Sequence, residues 1–304
     1  MNYSELLEKI YAQLLPSLGH GEVATYIPEL KKIDPAQLGI SICTNSDHEY
    51  LIGSAEKLFS IQSISKVFSF ALAYRLEGEK LWKRLGREPS GNSFDSLILL
   101  EKENGVPRNP FINAGALVIT DILIKHYKNP IDEVLKFIQS LSGNPNISIN
   151  SKVKQSEVMH AHRNYALAYY MKSYKNVKCD VDKLIKTYSA LCAIEMSCVD
   201  LARSFRLFGM GGLNPWTSER ILSSGQTKRI NAIMMTCGLY NAVGDFAYRV
   251  GIPAKSGVGG GIVGVIPGEM SVAVWSPALD ETGNSLAGIK ALESFTTLSG
   301  KSIY

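Results

Sequence analysis

From Ser63 to Glu77 the chain is apolar on most sides of a helix, yet it carries a lysine at its start. Ile64, Val67, Phe68, Ala71 and Leu72 fall on one helical face, and Phe70 and Ala73 add a second strip. A helix with little surface fit for water belongs in the middle of a domain, so the fold has to be assembled around it. Ser63 and Lys66 stand one turn apart on one side of that helix. Lys66 therefore puts a charge where charge is costly, and the rest of the chain has to explain it.

With 304 residues the chain can form one large core or two closely packed subdomains. Near its start, Gly39–Thr44 alternates as a strand, Asn45-Ser46-Asp47 turns, and Glu49–Gly53 returns as a hairpin. Helical spacing recurs over 114–125, 131–141, 156–171, 181–193, 198–207 and 227–239. Residues 246–250, 261–266 and 270–275 read as strands joined by Gly-rich and Pro-Gly turns, before a last helix over 286–298. Strands at both ends and helices between them predict a mixed α/β (α+β) fold, with one sheet built from both chain ends. The expected organisation is a single domain, 1–304. Residues 1–65 with about 205–304 form the sheet subdomain, and about 66–204 form an inserted helical one.

The net charge of +4 is small and scattered, which points away from nucleic acid and from an anionic membrane surface. Five cysteines with no CxxC pair suit free thiols in a reducing compartment. The segment from Met1 to Leu15 mixes apolar residues with Glu5, Glu8 and Lys9, as a surface helix does and a signal peptide does not. No run reaches the ~18 apolar residues of a membrane span. A cytoplasmic location is expected.

Ser-x-x-Lys occurs as Ser54/Lys57, Ser63/Lys66 and Ser151/Lys154, and the first and last lie in polar surroundings. Only Ser63/Lys66 joins an extended run to an apolar helix. The alternative for that pair is a helix-capping serine with a snorkelling lysine. Far downstream, Lys255-Ser256-Gly257 precedes a strand. The two elements in that order match the serine acyl-transfer logic of penicillin-binding proteins and β-lactamases. In that logic Ser63 attacks a carbonyl, the Ser63 and Val258 N–H groups form an oxyanion hole, and Lys255 adds positive charge.

Gly259–Gly264 also satisfies GxGxxG, but that fingerprint needs a helix after it, and here a strand follows. The glycines instead suit a close approach of two backbones. His160 and His162, two apart in a helical pattern, share no face and have no supporting cluster, so they read as solvated. No Gly-x-Ser-x-Gly elbow is present. Nothing calls for a metal or other cofactor.

In several further stretches the sequence resembles the serine-dependent glutaminases of the β-lactamase-like superfamily. They are Tyr26–Leu30, Gln62–Lys66, Glu88–Gly91, Asn109–Ala116, Arg163-Asn164, Tyr188, Cys237–Tyr240, Pro253–Gly261 and Trp275–Pro277. Together they span about Gly19 to Gly300, and the pattern is that of the short bacterial type. The resemblance implies hydrolysis of L-glutamine to L-glutamate and ammonia, with Ser63 as nucleophile and Lys66 as base. It implies that Asn113, Glu157, Asn164, Tyr188, Tyr240 and Val258 contact the substrate and that Tyr26 lines the pocket. It also implies a homo-oligomer, dimer or tetramer. One departure adjoins Glu157: Val158–His162 is less polar than the matching stretch of many relatives.

An amide is a poor electrophile whose leaving ammonia needs a proton, so the nucleophile needs a base that returns it. Bringing a lysine from ~10.4 to ~7 takes ~4 kcal/mol, which burial beside a second lysine would supply. Glu157 suits the substrate α-ammonium, while Asn113, Asn164 and a tyrosine suit its carboxylate or amide. Tyr188 or Tyr240 would relay protons. Two other readings stay open: a β-lactamase or DD-peptidase, favoured by nitrocefin turnover, and a non-catalytic glutamine sensor, favoured by no ammonia release.

Overall fold

The computed structural model describes residues 2–91 and 95–304; Met1, in the expected first helix, lies outside them. Helix α1 (Tyr3–Leu14) starts at an Asn2 cap and turns Leu6, Leu7, Ile10 and Leu14 inward. Strands β1 (Gly39–Thr44) and β2 (Glu49–Gly53) form the expected hairpin. The chain then passes through β3 (Phe59–Ser60) and a 3₁₀ turn, Gln62–Ile64, into α2 (Ser65–Glu77). Every residue of α2 from Ser65 to Tyr74 is buried, and Gly78, at φ +53°, ends it.

The middle of the chain supplies α3 (Ile98–Lys102), α4 (Asn113–His126), α5 (Pro130–Ser142), β4 (Ser148–Ile149) and α6 (Ser151–Met159). There follow α7 (His162–Ser173), α8 (Val181–Cys192), β5 (Ile194–Met196) and α9 (Cys198–Gly209). Helix α2 packs on α4, α5 and α10 (Ser224–Cys237), which is how a helix apolar on most sides escapes water. After α11 (Val243–Arg249) come β6 (Ala254–Ser256), β7 (Gly261–Ile266), β8 (Met270–Trp275) and α12 (Leu286–Ser299).

The main sheet runs β2-β1-β8-β7-β6, antiparallel throughout, with Ile40 opposite Val274 and Val263 opposite Ala273. Strands from both chain ends thus share one sheet. Alternation along each strand divides its side chains between two cores. Ile40, Ile42, Ile262, Val272 and Val274 pack with α1 and α12, while Cys43, Val263, Val265, Ala273 and Trp275 face the core shared with α9 and α2. The expected boundary near residue 204 falls inside α9, which lies across β1, β7 and β8.

Two expectations need correction. Residues 246–249 are helical, in α11, and Val250 caps it: Phe246 and Val250, four apart, bury together, and Asp245 pairs with Arg249 at 3.2 Å. Over five residues a buried helical turn and a strand cannot be told apart by pattern. The helix expected over 156–171 is broken between α6 and α7. At the break the His160 ring nitrogen Nδ1 meets the Ser156 carbonyl at 2.8 Å, closing the end of α6.

Candidate active site

A second, small sheet, β3-β5-β4, ties the segment before Ser63 to the end of α8. The Ile61 N–H donates to the Ile194 carbonyl (2.9 Å), Gln62 Nε2 to Ser60 Oγ (2.9 Å), and Ser60 Oγ to the Cys192 carbonyl (2.9 Å). These bonds hold Gln62 at φ +50°, a left-handed conformation uncommon for a residue with a Cβ. Ser63 follows directly, in the 3₁₀ turn ahead of α2, so it is not the helix cap.

The Lys255-Ser256-Gly257 segment ends β6 against this turn. A Cβ on Gly257 would lie 2.6 Å from the Ile61 carbonyl oxygen and 3.3 Å from the Ser63 nitrogen. One on Gly259 would lie 2.3 Å from the Ser60 oxygen. The glycine run is therefore a close backbone approach, and a strand, not a helix, follows it.

Lys66 is buried beneath the turn. Its Nζ donates to Asn113 Oδ1 (2.7 Å) and to the Phe111 carbonyl (3.1 Å). Tyr188 donates to the same Oδ1 (3.2 Å), and Asn113 Nδ2 donates to Asn164 Oδ1 (2.9 Å). Burial lowers the Lys66 pKa to about 8, against the charges of Cys192, Glu157 and Asp95, which raise it.

Lys255 is wholly buried, donating to the carbonyls of Gly238 (2.8 Å) and Ser256 (2.6 Å) and lying 4.6 Å from the Tyr240 ring centre. Burial first, and then Lys66, hold it far below the usual ammonium range. Its two carbonyl contacts tie β6 to the segment carrying Tyr240. Tyr240 itself sits at φ +51°. Burial raises its phenol, and hydrogen bonding with Ser63, Ser256 and the Val258 N–H opposes that rise.

A cavity of about 550 Å³ opens over Ser63, within the size range of small-molecule sites. Tyr26, Ser63, Asn113, Glu157, Asn164, Tyr188 and Val258 all line it, whereas Lys66, Lys255 and Tyr240 do not. Tyr26 is half exposed, on a segment that Ile27 and Leu30 pin against Val258 and Leu279. Glu157 faces inward from α6; its Oε1 is buried with no hydrogen-bond partner among the described residues. Burial raises its carboxyl to about 7, against a Gln62 hydrogen bond and the charges of Lys66 and His160.

The lining also contains residues given no site role from sequence: Gln62, Asp95, His160, His162, Arg163 and Cys192. The two histidines are exposed, as expected, but the break between α6 and α7 turns both toward the cavity. Arg163 and Asp95, both on its wall, pair at 2.7 Å. Cys192 follows Tyr188 by four residues on α8, a spacing that could have placed both on one face. The other two Ser-x-x-Lys pairs lie elsewhere, Ser54 and Lys57 both on Gln37 Oε1 and Ser151 exposed. Among the described residues no cluster could hold a metal ion and no helix is long and apolar enough to cross a membrane.

This arrangement has known counterparts. A family model described as Glutaminase matches residues 21–304. A glutaminase of Ralstonia nicotianae is 54% identical over 304 residues, covering 100% of both chains. The crystal structure of a probable glutaminase of Bacillus subtilis superposes with a TM-score of 0.92 at 33% identity, covering 100% of this chain and 98% of that one. A Bacillus subtilis probable glutaminase complexed with 6-diazo-5-oxo-L-norleucine matches with a TM-score of 0.89, 32% identity and the same coverage. The antiparallel sheet with its helical layers is the β-lactamase-like architecture expected from the sequence.

Proposed function

The chain belongs to the glutaminase family of amidohydrolases, and on that premise we propose that Ser63, activated by Lys66, opens the side-chain amide of L-glutamine. The observation that carries this reading is the hold on Lys66. A buried amine at about pKa 8 has two carbonyl acceptors and lies one turn from Ser63. A neutral amine has two N–H bonds and one lone pair. The acceptors engage the N–H bonds and leave the lone pair for the Ser63 proton.

Ser63 Oγ attacks the amide carbon as its proton passes to Lys66, and the oxyanion is met by the Ser63 and Val258 N–H groups. Collapse breaks the C–N bond while the proton is delivered to nitrogen, so ammonia leaves and an ester remains on Ser63. Water opens that ester through the same base. Tyr240 is the relay we favour over Tyr188, because its hydroxyl interacts with Ser63, whereas Tyr188 is engaged with Asn113. Glu157, inside the cavity with an unmatched oxygen, receives the substrate α-ammonium. Asn164 and Asn113 orient the rest of the substrate.

Ammonia release from glutamine and asparagine, measured for the wild type and for Ser63→Ala and Lys66→Ala, tests the reading. Mass spectrometry after exposure to 6-diazo-5-oxo-L-norleucine locates the reactive side chain. An adduct on Ser63 and no turnover in either variant are expected; wild-type ammonia release by Ser63→Ala would sink the assignment.

A further inference from the structure

We infer that Asn109 is a positioning residue for the base, aiming the Phe111 carbonyl at Lys66 through a single peptide plane. The inference rests on the reading of Lys66 as that base. Asn109 is fully buried, and its side chain is engaged at both ends. Oδ1 accepts from the N–H groups of Phe111 (2.9 Å) and Ile112 (3.1 Å), and Nδ2 donates to the Glu88 carbonyl (2.9 Å).

The Ile112 N–H and the Phe111 C=O belong to one rigid planar unit and point in opposite directions from it. Holding the N–H on Asn109 therefore aims the carbonyl the other way, where Lys66 Nζ meets it at 3.1 Å. The remaining freedom of Phe111 is taken by its ring, which packs edge-on against Phe70 at 5.8 Å. The loop cannot slide along α4 either, since a Cβ on Gly115 would lie 1.9 Å from the Asn109 carbonyl oxygen. Without the Asn109 oxygen, Lys66 itself is the one side chain left bonded to the Phe111–Ile112 plane among the described residues. Lys66 then keeps Asn113 Oδ1 but not a fixed second acceptor, and its lone pair is no longer directed. A side chain that merely closed a turn at the start of α4 would affect stability and leave the rate of each folded molecule unchanged.

Asn109→Ala, Asn109→Asp and Lys66→Ala are compared for kcat, KM, thermal midpoint and the fraction of molecules labelled by 6-diazo-5-oxo-L-norleucine. Asn109→Ala is expected to lose about a hundredfold in kcat, the scale of a ~1 Å misplacement, with KM little changed and full labelling at long times. Asn109→Asp keeps an oxygen before both N–H groups and is expected to recover about tenfold of that loss. Wild-type kcat in Asn109→Ala beside an inactive Lys66→Ala overturns the inference alone. Equal losses in Ala and Asp, or a loss explained by a smaller labelled fraction, also overturn it. If Asn109→Ala does not fold, Asn109→Asp decides: kcat within about threefold of a tenth of wild type, with KM little changed, supports the inference, and a value outside that range overturns it. An active Lys66→Ala overturns the reading beneath it and this inference with it.

Discussion

Lys66 Nζ lies 2.7 Å from Asn113 Oδ1, and Asn113 passes its own Nδ2 to Asn164 Oδ1 at 2.9 Å. A buried amine and a residue on the cavity wall are thus joined through one amide. The amide also fixes its own orientation: Oδ1 receives Lys66 and Tyr188, so Nδ2 has to face Asn164. A ligand group that displaces Asn164 would be felt at Lys66, which links binding to the proposed base.

The pH dependence of Lys66 makes a first prediction. In the folded chain its pKa is about 8, against 10.5 for a free lysine side chain. Between those values the unfolded chain holds a proton that the folded chain lacks, so the Lys66 contribution to stability rises with pH there. Below about pH 8 the whole penalty for burying the amine stands, ~3 kcal/mol. The stability of the wild type minus that of Lys66→Met, from denaturant melts, should rise by ~3 kcal/mol from pH 7 to 10.5. Meanwhile kcat/KM should climb through about pH 8 as the amine becomes neutral. A flat stability difference would mean that Lys66 is not buried as described.

Glu157 should control KM. Its carboxyl, raised by burial to about 7, becomes an anion as pH rises through neutrality, and only the anion pairs with an α-ammonium. KM for glutamine should therefore fall between pH 6 and 8, a trend that Glu157→Gln abolishes. The variant itself should raise KM by roughly 10–100-fold, the worth of a charged hydrogen bond. An unchanged KM would remove Glu157 from the site.

Much of this was legible in the sequence because periodicity and spacing carry it. The mostly apolar α2, the β1–β2 hairpin and the Gly-rich turn before β7 are local patterns that periodicity and turn chemistry can read. Strand β6 is three residues long and the small sheet β3-β5-β4 is shorter still in two strands, too brief for alternation to register. The left-handed Gln62 and Tyr240 left no local signal either, since neither residue type prefers that conformation and tertiary contacts impose it. The depth of Lys255 left no signal for a related reason: a motif shows that a lysine is near the site, but not how far the fold buries it.

The two tyrosines can be separated. Tyr240→Phe removes the hydroxyl that interacts with Ser63, and should lower kcat by ~10²–10⁴-fold, the range for a lost proton-transfer group. Tyr188→Phe removes one of two donors to Asn113 Oδ1 and leaves Lys66 in place, so its kcat should fall by about tenfold or less. Steady-state kinetics on both variants check this, and the reverse order of losses would transfer the relay to Tyr188.

Gly257 offers a test of geometry without any change in polar groups. Its missing Cβ would sit 2.6 Å from the Ile61 carbonyl and 3.3 Å from the Ser63 nitrogen, and both are backbone atoms that cannot swing aside. In Gly257→Ala either the end of β6 or the turn carrying Ser63 has to shift. Val258 is the next residue, so its N–H would move away from the oxyanion while the Ser63 hydroxyl remained. Loss of one oxyanion donor lowers kcat by ~10²–10³-fold. Ser63 should still be labelled by 6-diazo-5-oxo-L-norleucine, slowly, because the proposed nucleophile and base persist. The thermal midpoint should drop by several degrees, since relief of overpacking costs ~1–3 kcal/mol. Near-normal kcat in a folded Gly257→Ala would show that the two backbones do not need this approach, and would remove Val258 from the oxyanion hole.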